Sequence, residues 1–145
     1  MKWGITLDRM IGYIPGTYDL FHVGHLRYLQ NAKSMCDVLI VGVLTDELIE
    51  KYKGRKPSIP LYQRMEIVRA LKCTDAVVEA NTRNVFEEWK KLKFNMVFIG
   101  DDWFGDQQWR EWESLLGQSG VKVYYLPRNT LISTTKIRES IRHLL

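Results

Sequence analysis

The sequence predicts an α/β protein: one open parallel sheet of five strands with helices on both faces. Short runs rich in Val, Ile and Phe alternate with longer segments of helical spacing, the pattern of repeated βαβ units. The runs are apolar almost throughout, as strands covered on both sides must be. The residues with unusual chemistry follow the runs closely, where open parallel sheets bind their ligands.

Strands are expected near Ile11 to Pro15, Val38 to Leu44, Ala76 to Val78, Met96 to Ile99 and Val121 to Leu126. Each is short enough to be a buried strand and too short for a typical helix. Helices are expected over His25 to Met35, Leu61 to Leu71, Asn84 to Leu92, Gln107 to Gln118 and Thr134 to Leu145. Pro57 and Pro60 mark a loop leading into a helix start and not a linker. Right-handed crossovers then place the helices on both faces. No repeat, heptad or low-complexity stretch interrupts this order.

At 145 residues, 46% hydrophobic and 26% charged, the chain has the size and make-up of one globular domain over 1–145, with residues 1–10 a loosely ordered extension. No stretch nears the roughly 18 apolar residues that span a bilayer, and the first ten residues do not read as an export signal, so a cytoplasmic location is expected. Cys36 and Cys73 stand far apart without CxxC or partner histidines and are expected to be reduced thiols without chemistry. The net charge of +4 admits anionic partners. Because Lys and Arg are spread along the chain, a small phosphate ligand explains that charge as well as nucleic acid does.

The strongest local signal is Gly16-Thr17-Tyr18-Asp19-Leu20-Phe21-His22-Val23-Gly24-His25, where a strand ends in a glycine turn and a helix starts. His22 and His25 are three residues apart and share one face if that first turn is helical. Gly24 leaves room for a phosphate, and the amides of a helix start carry partial positive charge. Asp19 is open to three roles: hydrogen-bonding a histidine, capping the helix, or ordering a metal through water. Ser133, Thr134 and Thr135, just ahead of the last helix, are good N-caps, and three hydroxyls exceed what capping needs.

The first segment resembles the GxFDxxHxGH signature of the cytidylyltransferase family, with Tyr18 where Phe is usual. Pro127 to Ile137, reading PRNTLISTTKI, resembles the family's RTEGISTT motif, and Gly100-Asp101-Asp102-Trp103 resembles the GDDW segment of bacterial glycerol-3-phosphate cytidylyltransferases. The resemblance runs from about Ile11 to the C-terminus. It implies a Rossmann-like HxGH nucleotidyltransferase fold and transfer of CMP from CTP to a phosphorylated polyol, sn-glycerol 3-phosphate first, giving CDP-glycerol and pyrophosphate. It also implies a homodimer and a Mg²⁺ ion held mainly by the triphosphate and water, with no protein metal cage.

Residue by residue, the resemblance puts catalysis on His22, His25, Lys53 and Arg128. The nucleotide is expected against Gly16, Thr17, Tyr18, Asp19 and Gly24, against Gly100, Asp101, Asp102 and Trp103, and against Arg128, Ile132, Ser133, Thr134 and Thr135. Lys53 and Arg55, in a basic loop from Glu50 to Pro57, join Trp103 and Arg64 at the acceptor; Arg64 serves its phosphate or holds the site together. Lys56 is a further helper in that loop. Trp109 and Trp112, at i and i+3, read as core or interface.

The acceptor phosphate would attack the α-phosphorus directly, since no Ser, Cys or Lys nucleophile stands beside a base. At Asn129, Thr130 and Leu131 the chain departs from the usual Thr, Glu and Gly, which leaves base recognition open. An adenylyltransferase using ATP with a sugar phosphate or a flavin precursor is therefore an alternative within the fold. A non-catalytic nucleotide- or RNA-binding module is the alternative outside it, and would need a continuous basic and aromatic surface.

Overall fold

The computed structural model describes residues 9–100, 106–127 and 134–144. Five strands, β1 (Ile11–Gly16), β2 (Val38–Leu44), β3 (Ala76–Ala80), β4 (Met96–Gly100) and β5 (Lys122–Leu126), form one sheet in the order β3-β2-β1-β4-β5. All four pairings are parallel. The sheet is Rossmann-like, as the sequence predicts.

Helices α1 (Val23–Lys33), α2 (Asp46–Lys53), α3 (Leu61–Arg69), α4 (Val85–Leu92), α5 (Gln107–Gln118) and α6 (Thr134–Leu144) connect or follow the strands. Successive side chains of a strand point to opposite faces, so Tyr13 and Ile14 serve two different cores. Ile14 packs in a cluster with Leu29 and Ala32 of α1 and Val68 of α3. Tyr13 packs with Val85 of α4 and Trp109 and Leu116 of α5. That division is why helices cover both faces.

The chain builds β1, β2 and β3 outward in one direction, then crosses to β4 on the other side of β1. The loops leaving β1 and β4 therefore diverge, and a crevice opens at the strands' carboxyl ends. Among the described residues no helix is long and apolar enough to cross a membrane.

The segment expected as a loop from Glu50 to Pro57 is in part α2. Ile49 is its only buried residue, so its apolar stripe is too narrow to register as periodicity. The end signals are present all the same: the Thr45 hydroxyl accepts the Leu48 N–H at 3.2 Å, and Gly54, at φ 81°, stops the helix in the left-handed conformation. Lys53 thus stands at a helix C-terminus, and only Gly54 to Pro60 remain as loop. The first helix starts at Val23, two residues earlier than expected, because the His22 side chain caps it.

Candidate active site

The exit from β1 is backbone held under strain. Tyr18 and Leu20 have φ of 56° and 49°, left-handed values that cost a non-glycine residue on the order of 1 kcal/mol. The Tyr18 ring folds back over Gly16, where a Cβ would lie 2.7 Å from Tyr18 Cζ, so only glycine fits there. The Tyr18 hydroxyl, at the position where the family signature has Phe, donates to the Ile14 carbonyl at 3.3 Å.

This loop sets the histidines. The Gly24 N–H donates to Nδ1 of His22 at 3.0 Å, and the His22 N–H donates to Nδ1 of His25 at 3.2 Å, a reciprocal capping box at the start of α1. With each Nδ1 accepting, each neutral ring carries its proton on Nε2. The rings stack with centroids 3.9 Å apart, and Phe21 packs on His25 at 5.2 Å. Burial holds the pKa of His22 below its ordinary value, which favours the neutral ring.

Asp19 caps no helix and bonds neither histidine in this arrangement. It is 3% exposed, and its carboxylate accepts the Ser58 N–H at 2.8 Å, the Ile59 N–H at 2.9 Å and the Arg138 guanidinium of α6. Its backbone carbonyl accepts the Thr134 hydroxyl at 2.8 Å. Asp19 therefore ties the β1 exit to the loop before α3 and to the last helix.

Arg64 is tied into the protein itself. At 1% exposure its guanidinium donates to the carbonyls of Ile59 (2.8 Å) and Thr17 (2.7 Å) and to the Asp46 carboxylate (2.6 Å). It is not on the cavity wall.

Between these elements lies a cavity of about 440 Å³. Gly16, Thr17, Tyr18, Asp19, His22, Gly24 and His25 line one side, with Thr134 and Thr135 from the start of α6. Lys53, Arg55 and Lys56 line another. Gly100 ends β4 without reaching the wall, while Asp101, Asp102, Trp103, Arg128, Ile132 and Ser133 lie outside the described residues.

Sequence reasoning passed over Arg138, Tyr52 and Arg83, all on the cavity wall. Arg138 had a signal, since it falls one helical turn after Thr134 and shares its face. Arg83 follows β3 by three residues and lies over the Tyr52 ring, 4.4 Å from its centroid. Trp109 belongs to a core, as expected, stacked edge-on against Trp112, and also reaches the cavity.

Paired histidines and two helix starts meet on one crevice of a parallel sheet. The chain belongs to the cytidylyltransferase-like family, whose profile matches residues 13–140. It is 35% identical over 137 residues to an FAD synthase of Pyrococcus abyssi, covering 90% of this chain and 91% of that one. It is 34% identical over 139 residues to a glycerol-3-phosphate cytidylyltransferase of Bacillus spizizenii, covering 95% and 100%. In fold it is similar to a lipopolysaccharide core biosynthesis protein of Thermoplasma volcanium, with TM-score 0.69 at 22% identity, over 83% of this chain and 97% of that one.

Proposed function

We propose that the protein transfers CMP from CTP to a small phosphorylated polyol, glycerol 3-phosphate first, releasing pyrophosphate. The observation that carries the transfer chemistry is the capping box: two backbone N–H groups hold both histidines as Nε2–H tautomers beside the starts of α1 and α6. A triphosphate laid there meets imidazole donors, threonine hydroxyls and the positive ends of two helices. Charge growing on the leaving pyrophosphate is then neutralised by groups already in place. The acceptor phosphate attacks in line from the other side of the α-phosphorus.

Support for CTP comes from the Gly100-Asp101-Asp102-Trp103 segment and the glycerol-3-phosphate cytidylyltransferase relative. The FAD synthase relatives, and Asn129-Thr130-Leu131 in place of Thr-Glu-Gly, favour a second reading: AMP transfer from ATP to a phosphorylated flavin precursor. The described residues fit a Mg²⁺ that arrives with the nucleotide. Asp19 is already engaged by three donors, so the triphosphate and water would hold the ion. Such an ion would add positive charge at the phosphate oxygens.

Pyrophosphate release with CTP or ATP, Mg²⁺ and a panel of phosphorylated acceptors tests both readings. Release with CTP and glycerol 3-phosphate is expected; release only with ATP moves the protein to the second. His22→Ala and His25→Ala should each slow turnover about a hundredfold or more. Near-normal turnover in either would remove the histidines from the chemistry.

A further inference from the structure

The cavity wall is chemically uneven. Around β1, α1 and α6 stand the groups suited to a triphosphate. Toward β4 the described wall is Ile99 and Trp109, both nearly buried and without charge. Toward β2 and β3 the floor is Leu44 and Ile49, and over it stand Tyr52, Lys53, Thr82 and Arg83. Lys53 lies 5.7 Å and Arg83 4.4 Å from the Tyr52 ring centroid, so two cations stand against one aromatic ring. Lys53, Arg55 and Lys56 are exposed on α2 or the loop after it, whereas Arg83 is half-buried. The ring restrains Arg83 before a ligand arrives, which lowers the entropy cost of binding one.

We propose that Arg83, seated on Tyr52 at the carboxyl end of β3, is the subsite for the acceptor's phosphate. The inference rests on the nucleotidyltransferase reading and holds for a polyol phosphate and a flavin phosphate alike. The reaction joins two anions, and one cluster of donors cannot hold both in line. β3 lies two strands from β1, roughly 10 Å at the usual spacing. With the β- and γ-phosphates on the α1 and α6 side, an acceptor phosphate reaching from Arg83 toward β1 meets the α-phosphorus opposite the leaving pyrophosphate, as in-line attack needs. A planar guanidinium can also grip two phosphate oxygens at once, which a lysine cannot.

The test uses the full chain saturated with a non-hydrolysable triphosphate, CTP or ATP analogue, and titrates inorganic phosphate and glycerol 3-phosphate by calorimetry. Arg83→Met should weaken both anions by about ten- to a hundredfold and leave the analogue's own affinity within twofold. Arg83→Lys should recover part of the loss, whereas with Arg83 in place Tyr52→Phe should keep nearly wild-type anion affinity and Tyr52→Leu should lose much of it. Unchanged anion affinity in Arg83→Met, or loss of nucleotide affinity instead, overturns the subsite. In the pyrophosphate assay the variant should raise the acceptor's KM while kcat at saturation stays close to wild type. Failure of the functional reading looks different: the wild-type protein would then release no pyrophosphate from any pair, whatever Arg83 does to phosphate binding.

Discussion

His22 shows how one side chain joins fold and chemistry. Its Nδ1 is the cap of α1, so the atom left to carry the proton is Nε2. A proton on Nδ1 would set a donor against the Gly24 N–H, and burial independently keeps the charged form unfavourable. The folded pKa lies below the ordinary value of 6.5, so below that pH the unfolded chain binds more protons than the folded one. His22 therefore contributes a stabilisation that is whole above about pH 6.5 and is lost as pH falls through the folded pKa. Urea unfolding between pH 8 and 5 should show part of the acid decline removed in His22→Gln; an unaltered slope would show that His22 does not carry it.

Helix α6 has no buried residue among those described. An amphipathic helix normally docks by its apolar face. The polar ties of α6 include the Thr134 hydroxyl on the Asp19 carbonyl, and Arg138 on the Asp19 carboxylate and the Ser58 hydroxyl. These bonds, near the start of the helix, help to place Thr134 and Thr135 beside the histidines. Arg138→Ala should speed amide exchange across 134–144 and weaken triphosphate binding about tenfold or more, with exchange in the sheet core unchanged. Retained protection in α6 would show that other contacts dock it.

At the scale of the molecule, Arg64 is the buried cross-link. It joins Thr17 of the β1 exit, Asp46 of α2 and Ile59 of the loop before α3, so three segments that build the cavity share one guanidinium. Asp46 in turn accepts the Leu61 N–H at 3.3 Å. Removing one partner of a buried pair strands the other and costs about 3–5 kcal/mol. Arg64→Met should lose about that much in chemical denaturation, and Arg64→Lys should recover little, because an ammonium cannot span three acceptors set for a planar fork. A loss under 1 kcal/mol would mean the segments hold one another without it. The same network fixes the crevice where strand order reverses, so stability and site geometry draw on the same residues.

Much was legible in the chain itself. Strand and helix order follow from periodicity, because burial on both faces of a parallel sheet demands uninterrupted apolar runs. The geometry of the histidine segment was legible because it is local: Gly16, His22, Gly24 and His25 lie within ten residues, and their spacing brings them to one cavity wall. What the chain did not disclose is long-range. Asp19 meets Arg138 across 119 positions and Arg64 meets Thr17 across 47, and no local pattern links such pairs. Arg83 sits after a strand whose place at the sheet edge only the folded order reveals, and Tyr52 reaches the cavity from a helix too narrow to be seen in periodicity. Side-chain period is a property of one element and is written in sequence; the convergence of loops at a crevice is a property of strand order, and only the tertiary structure decides it.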